Sequence, residues 1–358
     1  MKKRSVPLFL VKLLNYEYWP FWLFFMPLVP WWVYLSIRAR SFTYFTAANP
    51  GIEHSGVFGE SKIDILNMID PKYKPTTFFC QSETNSHQLK QLLAQHELSF
   101  PIIIKPNVGE RGNEVAKIDD TNQLNSYLDS NTADFIVQEF VDFEHELGVL
   151  YYRFPDGSES GITSVVTKEF LSVLGDGKST IAELVSQTNR GRLQLDALHE
   201  RLGAEMEEVP AAGEKRNLEP IGNHCRGTKF LSGQHLINNQ LVSVFDEVCR
   251  DIDGFYFGRF DLKVKSVEDL YEGKNIRLLE LNGVTSEPGH IYDPALSIWK
   301  AWYDAASNMK MMYRVCKMNM KRGVKVTPFF ELLRLVRLHF GDKSENVAVM
   351  AGKPSLQK

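Results

Sequence analysis

The clearest period-two pattern in the chain lies in two short runs. Gly258-Arg-Phe-Asp-Leu-Lys263 alternates polar and apolar residues, and Leu278-Leu-Glu-Leu-Asn282 follows after a loop. Side chains alternate faces along a strand, so Arg259 and Asp261 are expected on one face, as are Leu278, Glu280 and Asn282. Paired as a hairpin, the runs present two acids, an amide and a guanidinium together. Further strands are predicted at Pro101–Lys105, Glu114–Ile118, Phe135–Val141 and Glu146–Tyr152, the last running into a hairpin turn at Tyr152–Gly157. Helical spacing occurs at Lys62–Asp70, stopped by Pro71 and Pro75, near residues 86–97, and at Ile181–Thr188 and Gln240–Asp251. No internal repeat interrupts this mixture of strands and helices.

The two ends of the chain follow other patterns. Tyr18 to Ile37 is twenty residues without a charge, flanked by Lys2, Lys3, Arg4 and Lys12 before it and by Arg38 and Arg40 after it. That length crosses a bilayer as a helix, and Trp19, Trp22, Trp31 and Trp32 sit where interfacial belts form. The run is too aromatic for a secretory signal and lacks a small-residue cleavage site. Pro27 and Pro30 disfavour a straight rod. With basic flanks on both sides, a bent re-entrant segment with both ends in the cytoplasm competes with a kinked single span and with a buried core segment. Ala48-Asn-Pro-Gly51, Gly56 and Gly59 then form a loop-rich connector. At the other end, Met309–Lys325 is rich in Met, Lys and Arg, and Pro328–Phe340 is apolar with Arg334 and Arg337 interleaved. Such a basic amphipathic helix lies either on an anionic leaflet or on the core. A frayed end is expected from Gly341 onward.

With 358 residues, 44% of them hydrophobic, the chain can bury a large core. A net charge of −3 supplies no global field toward nucleic acid, and no such partner is expected. Cys80, Cys225, Cys249 and Cys316 are scattered without CxxC spacing, which argues against a zinc site or disulfide framework and fits a reducing compartment.

Several residues carry candidate chemistry. Asp261, Glu280 and the Asn282 carbonyl are hard oxygen ligands suited to Mg²⁺, and Arg259 beside them can stabilise developing negative charge. A solvated hairpin face is the plainer alternative. Lys105 at a strand end, followed by Gly109 and Gly112, is a phosphate-handling arrangement, although an ordinary glycine hairpin looks the same. Gly175–Thr180 superficially resembles a Walker loop, but Ser172 stands where that loop needs glycine. Glu139 ends one strand and Glu146 opens the next; a solvated acidic loop would share that pattern.

Taken in order, strand–Lys–Gly loop, Glu-x₆-Glu, Arg-x-Asp and Glu-x-Asn resemble the ATP-grasp superfamily of carboxylate–amine ligases, from about Ser61 to Asp293. The resemblance implies an α+β fold in which two α+β subdomains clasp ATP between them. It divides the chain into an apolar membrane-associated segment (1–45), a connector and leading helix (46–100), an ATP-grasp domain (101–305) and a basic amphipathic tail (306–358). It implies that Lys105 holds the α/β-phosphates with the loop of Gly109 and Gly112, that Glu139 is the adenine-hinge acid, and that Glu146 is the ribose acid. Lys168 is a looser match to a further nucleotide-facing lysine. Arg259, Asp261, Glu280 and Asn282 match the arginine and the ligands of two Mg²⁺ ions, with Mn²⁺ as a substitute. The metal hairpin resembles that of D-alanine–D-alanine ligases. Leu171–Val185 and Gly213–Gly227 resemble cyanophycin- or glutathione-synthetase-like ATP-grasp domains, putting Asn223, Arg226 and Gly227 near the phosphates or the acceptor. The family's usual Rossmann-like first domain is not evident.

The implied activity is a membrane-associated ligase that joins a small or lipid-linked carboxylate to an amine through an acylphosphate, with catalysis resting on Arg259 and Lys105. The Glu110-Arg111 loop would close over the phosphates. Thr285, Ser286 and His290 are candidates for the acceptor, His290 equally a structural histidine. The alternatives are an ATP-grasp phosphotransferase and an inactive nucleotide-binding membrane adaptor. The catalytic domain would face the cytoplasm, and a homodimer is compatible with the fold.

Overall fold

The period-two runs fold as strands, and the helical runs cover them. The computed structural model describes residues 6–57, 59–109 and 115–340. Among these the strands are β1 (Thr77–Cys80), β2 (Ile102–Pro106), β3 (Ala116–Ile118), β4 (Phe135–Glu139), β5 (His145–Arg153), β6 (Ser160–Glu169), β7 (Ser172–Leu174), β8 (Lys215–Asn217), β9 (Lys229–Ser232), β10 (Phe257–Val264) and β11 (Ile276–Asn282). They form three antiparallel sheets, in the orders β1-β4-β2-β3, β11-β10-β5-β6-β9 and β7-β8.

The four-stranded sheet is backed by helices Ser86–Gln95 and Thr121–Ser130, whose Leu89, Leu93 and Leu124 meet Phe78, Ile102, Ile104 and Val137. The five-stranded sheet has two unlike faces. Leu147, Val149, Tyr151, Phe260 and Leu262 pack under helices Lys62–Asn67, Asn239–Val248 and Val267–Glu272. The alternate positions of β5 face the other way. Leu150 and Tyr152 join the core beneath the 24-residue helix Ile298–Lys321, while Glu146 borders a cavity and Gly148 lies against Asp261 and Val166. The two-stranded sheet and helices Ile181–Ser186 and Asn189–Leu202 enclose a small separate core around Ile181, Leu198 and Met206.

The long helix passes straight through the boundary expected at 305/306. Its buried face uses Ala301, Ala305, Asn308 and Asn319 among larger residues, so small and polar side chains disguise the helical period. Helix Phe329–Phe340 follows, with Phe329, Phe330 and Leu333 exposed and Leu332 against the core. The end expected to fray, from Gly341, lies outside the described residues.

The charge-free N-terminal run is helix Phe21–Phe25, a 3₁₀ turn Met26–Leu28 and helix Val29–Ala39. Pro27 and Pro30 occupy first-turn positions, where a missing N–H costs nothing, so they divide the segment instead of kinking one rod. One stripe (Phe24, Leu28, Leu35, Ala39) is buried on the body. Trp302 Nε1 donates to Phe24 O (2.9 Å) and Trp31 Nε1 to Ala306 O (3.0 Å). The other stripe (Phe21, Trp22, Met26, Val29, Ile37) is exposed.

The glycine-rich connector is held firmly. Asn49 is fully buried; its carbonyl accepts from the backbone N–H groups of Tyr256 (2.8 Å) and Phe257 (2.9 Å), and its amide donates to Phe257 O (2.7 Å). Asn319 of the long helix donates to Ala47 O and Ala48 O, both at 2.9 Å. Replacing Asn49 by Ala leaves two buried donors without partners. The expected loss is about 2–4 kcal/mol, read as a lower denaturant midpoint with an unchanged slope.

Candidate nucleotide and metal site

β10 and β11 pair with Arg259 opposite Asn282, Phe260 opposite Leu281 and Asp261 opposite Glu280. The register then shifts, and Leu262 lies opposite Leu278, leaving Leu279 as an extra residue. Opposed residues share a face, so Asp261 and Glu280 both border the cavity while Leu262 and Leu278 are both in the core. The expectation that Leu278 shares a face with Glu280 and Asn282 is therefore corrected: the bulge puts two residues where alternation allows one. It also turns the Leu279 carbonyl toward the other sheet, where it accepts from Lys105 Nζ (3.0 Å) and Gln138 Nε2 (3.4 Å).

A cavity of about 970 Å³ lies between the sheets. Lys105, Gly109, Glu139, Glu146, Lys168, Asn223, Arg259, Asp261, Glu280 and Asn282 all border it. Gly112, with Glu110 and Arg111, lies outside the described residues. Lys105 is buried and also donates to Gln138 Oε1 (3.2 Å); burial pushes its pKa down, against the opposing pull of Glu280. Glu139 Oε2 accepts from Thr76 N–H (3.1 Å), and Asn223 caps the turn His224–Arg226 by accepting from Cys225 N–H (2.8 Å). The Gly109 carbonyl accepts from Lys62.

Charge is concentrated around Asp261. Its Oδ2 accepts from Arg259 Nη2 (3.0 Å) and Nε (3.3 Å) and from Asn282 Nδ2 (3.2 Å). Lys168 Nζ stands 3.2 Å from Asp261 Oδ1 and 2.9 Å from Glu146 Oε1. Burial alone would raise the Asp261 pKa, but Arg259 and then Lys168 outweigh it and hold the carboxyl at about 2. For Lys168, burial would lower the pKa, but Asp261 and Glu146 hold it at about 12. Gly148 sits directly opposite Asp261, and a Cβ there would lie 2.8 Å from Val166 Cγ1 and 3.1 Å from Asp261 Oδ1. Glycine is required at that position for the cluster to fit.

The donors suit a hard cation. Asp261 Oδ1 is buried and has no partner besides Lys168, and Glu280 faces it across the hairpin. The Asn282 amide nitrogen is engaged, leaving its carbonyl oxygen to a ligand. Among the described residues no cluster of three or more His, Cys, Asp or Glu forms a cage. Two carboxylates and an amide therefore fit a Mg²⁺ ion whose remaining ligands come from phosphate oxygens.

Other side chains complete or leave the picture. Lys263 borders the cavity and donates to Val141 O (3.0 Å), and burial lowers its pKa. The alternation that selects Arg259 and Asp261 selects Lys263 as well, so it was legible. Gln138, bonded to Lys105, lies on a strand interior that reads only as apolar filling. Ser286 is buried, accepts from Arg259 N–H (3.2 Å) and donates to Asn282 O (2.8 Å), which fixes the turn behind the metal strand. Thr285 is exposed at the cavity rim and bonds Gly56 O (3.2 Å). His290 is withdrawn from the acceptor role: it is buried away from the cavity between Ser164 Oγ (2.7 Å) and Asp304 Oδ2 (3.1 Å). Lys168→Met would leave two buried carboxylates short of a counter-charge. A loss of about 3–5 kcal/mol in denaturant unfolding at neutral pH is expected.

Residues 73–153 match a family model described as a RimK-like ATP-grasp domain. No curated protein matches the chain. Among solved structures, the VanG D-Ala:D-Ser ligase from Enterococcus faecalis is 14% identical over 67% of this chain and 57% of its own, with a TM-score of 0.37. A D-alanine–D-alanine ligase from Bacillus anthracis is 12% identical over 70% and 65%, with a TM-score of 0.39. A bifunctional glutathione synthetase from Pasteurella multocida is 15% identical over 68% and 34%, with a TM-score of 0.35. The chain spans less than two thirds of the length of each. Lys105, Glu139 and Glu146 all lie inside the matched segment, so the part of the chain that is similar to a RimK-like ATP-grasp domain is residues 73–153, and it supplies one wall of the cavity.

Proposed function

We propose that the protein is an ATP-dependent ligase acting at a membrane surface, joining a carboxylate to an amine through an acylphosphate with release of ADP and phosphate. The observation that carries this reading is the opposition of Asp261 and Glu280 across one hairpin, with Lys105 and Lys168 bordering the same cavity from two different sheets. Lys105 and Lys168 would neutralise phosphate oxygens, and the strand end Glu139–Val141 would edge the adenine with Glu146 toward the ribose. Mg²⁺ held by Asp261, Glu280 and Asn282, as one or two ions, would supply charge neutralisation between the β- and γ-phosphates. The substrate carboxylate attacks the γ-phosphorus and ADP leaves; the amine then attacks the acyl carbon, loses a proton, and phosphate departs. Arg259, held by Asp261 and by Glu287 O (3.3 Å), is positioned to stabilise the tetrahedral oxyanion.

The exposed stripe of the N-terminal segment supports attachment to a membrane. Its opposite stripe is packed along the body, which favours a segment lying in the plane of the interface over a span. ATP supply then orients the protein toward the cytoplasm.

Asp261→Ala or Glu280→Ala is expected to abolish Mg²⁺-dependent ATP turnover in a folded protein, and Arg259→Met to lower it about 10²–10³-fold. ADP and phosphate should appear in equal amounts and only with both acid and amine present. ADP without phosphate would indicate a phosphotransferase, nucleotide binding without turnover an adaptor, and wild-type turnover in the double variant would sink the metal assignment.

In co-sedimentation with anionic vesicles the protein should pellet, and Trp22→Asp combined with Trp299→Asp, at a second exposed tryptophan in the first turn of helix Ile298–Lys321, should release it. Tags at the two termini should be accessible from the same side; accessibility from opposite sides would exclude in-plane attachment.

A further inference from the structure

The cavity that holds the candidate nucleotide site has a second wall, made by the N-terminal segment. Phe21 and Phe25 border it together with Met309 and Met312 of the long helix. Arg259 and Tyr292 border the same cavity as this wall, and a chain of contacts leads from Arg259 to the segment that carries it. Arg259 Nη1 donates to Glu287 O, the Glu287 carboxylate accepts from Tyr292 Oη, and the Tyr292 ring lies 5.7 Å from that of Phe24. Several polar groups on this side are already engaged: Glu17 with Arg190, Asn308 with Thr163, and Tyr292 with Glu287.

The same wall reaches the outer surface. Phe21 lines the cavity and is also 53% exposed, one residue from Trp22 and with its ring tilted against that of Phe25 at 4.5 Å. The segments that supply this wall are cationic in sequence. Residues 1–52 carry six Lys and Arg against a single acid, Glu17, which is buried. Residues 298–340 carry nine against two, while residues 53–297 carry twenty-three against thirty-nine. The two segments that supply this apolar wall are thus the cationic stretches of a net acidic sequence, a composition complementary to an anionic lipid surface.

We propose that the acid substrate is amphipathic: its carboxylate meets Arg259 and the γ-phosphate, and its apolar chain lies along Phe25, Met309 and Met312 toward the mouth at Phe21, by which it arrives from the lipid surface. This rests on the ligase reading and names the substrate class for that site. A chain buried on such a wall gains about fourfold in affinity for each methylene it adds.

The test is calorimetric titration of the full chain with straight-chain carboxylates of two to twelve carbons, below their micelle concentrations, with Mg²⁺ and ADP present. Affinity should rise with length and then level off. Met309→Trp, which narrows the wall, should move the plateau to shorter chains, and Phe21→Asp at the solvent-exposed mouth should weaken long chains at least tenfold while acetate is unchanged. Trp22→Asp, on the outer surface only, should leave the series as it is. ADP titration in each variant reports folding and tests the nucleotide site separately. ADP binding with a flat length series, or with a series that Phe21→Asp does not alter, would overturn the amphipathic acid and leave the ligase; absence of ADP binding in the wild type would overturn the ligase reading itself.

Discussion

The buried cluster of Asp261 with Arg259, Lys168 and Glu146 is the constraint on which the site is built. Two acids and two bases are nearly withdrawn from water, and each is tolerable only because the others neutralise it. The geometry follows from three adjacent strands. β10 supplies Arg259 and Asp261, β5 supplies Glu146 and leaves room at Gly148, and β6 supplies Lys168. An anionic ligand with its cation entering this space would re-pair charges already in place, so the surrounding structure is organised before any ligand arrives.

Much of this was legible because strand alternation is a strong signal. The hairpin and the opposed acids were readable from period two, the Lys105 strand from its short apolar run, and Lys263 was readable by the first rule though left without a role. Other parts resisted for identifiable reasons. The bulge at Leu279 breaks alternation locally and leaves no mark in composition. The helix Ile298–Lys321 buries alanines and asparagines, so its inward face does not look apolar. The helix Thr121–Ser130 shows only Leu124, Tyr127 and Leu128 at helical spacing, and its clearest signal is the Asp120 cap. Strands β6 and β9 contact each other only through the sheet, a long-range pairing that local pattern does not encode.

The N-terminal segment shows a different limit of sequence reading. Its length and lack of charge fit a membrane span, yet length says nothing about which neighbours a helix has. Trp31 and Trp302 bind it to the long helix through backbone carbonyls, and its prolines begin elements instead of bending one. Attachment to the body and exposure come from opposite stripes of the same helices, so the segment belongs to the domain's architecture as much as to its surface.

The extra residue at Leu279 has a further consequence. A ladder without it would still set Leu278 opposite Leu262 and Glu280 opposite Asp261, with every side chain on its present face. The hairpin therefore does not need the insertion to aim its acids. What the insertion adds is one carbonyl directed across the gap to Lys105, a tether between the two halves of the clasp. That carbonyl acts alongside the bond from Lys263 to Val141 O, so each half of the clasp offers the other a main-chain oxygen.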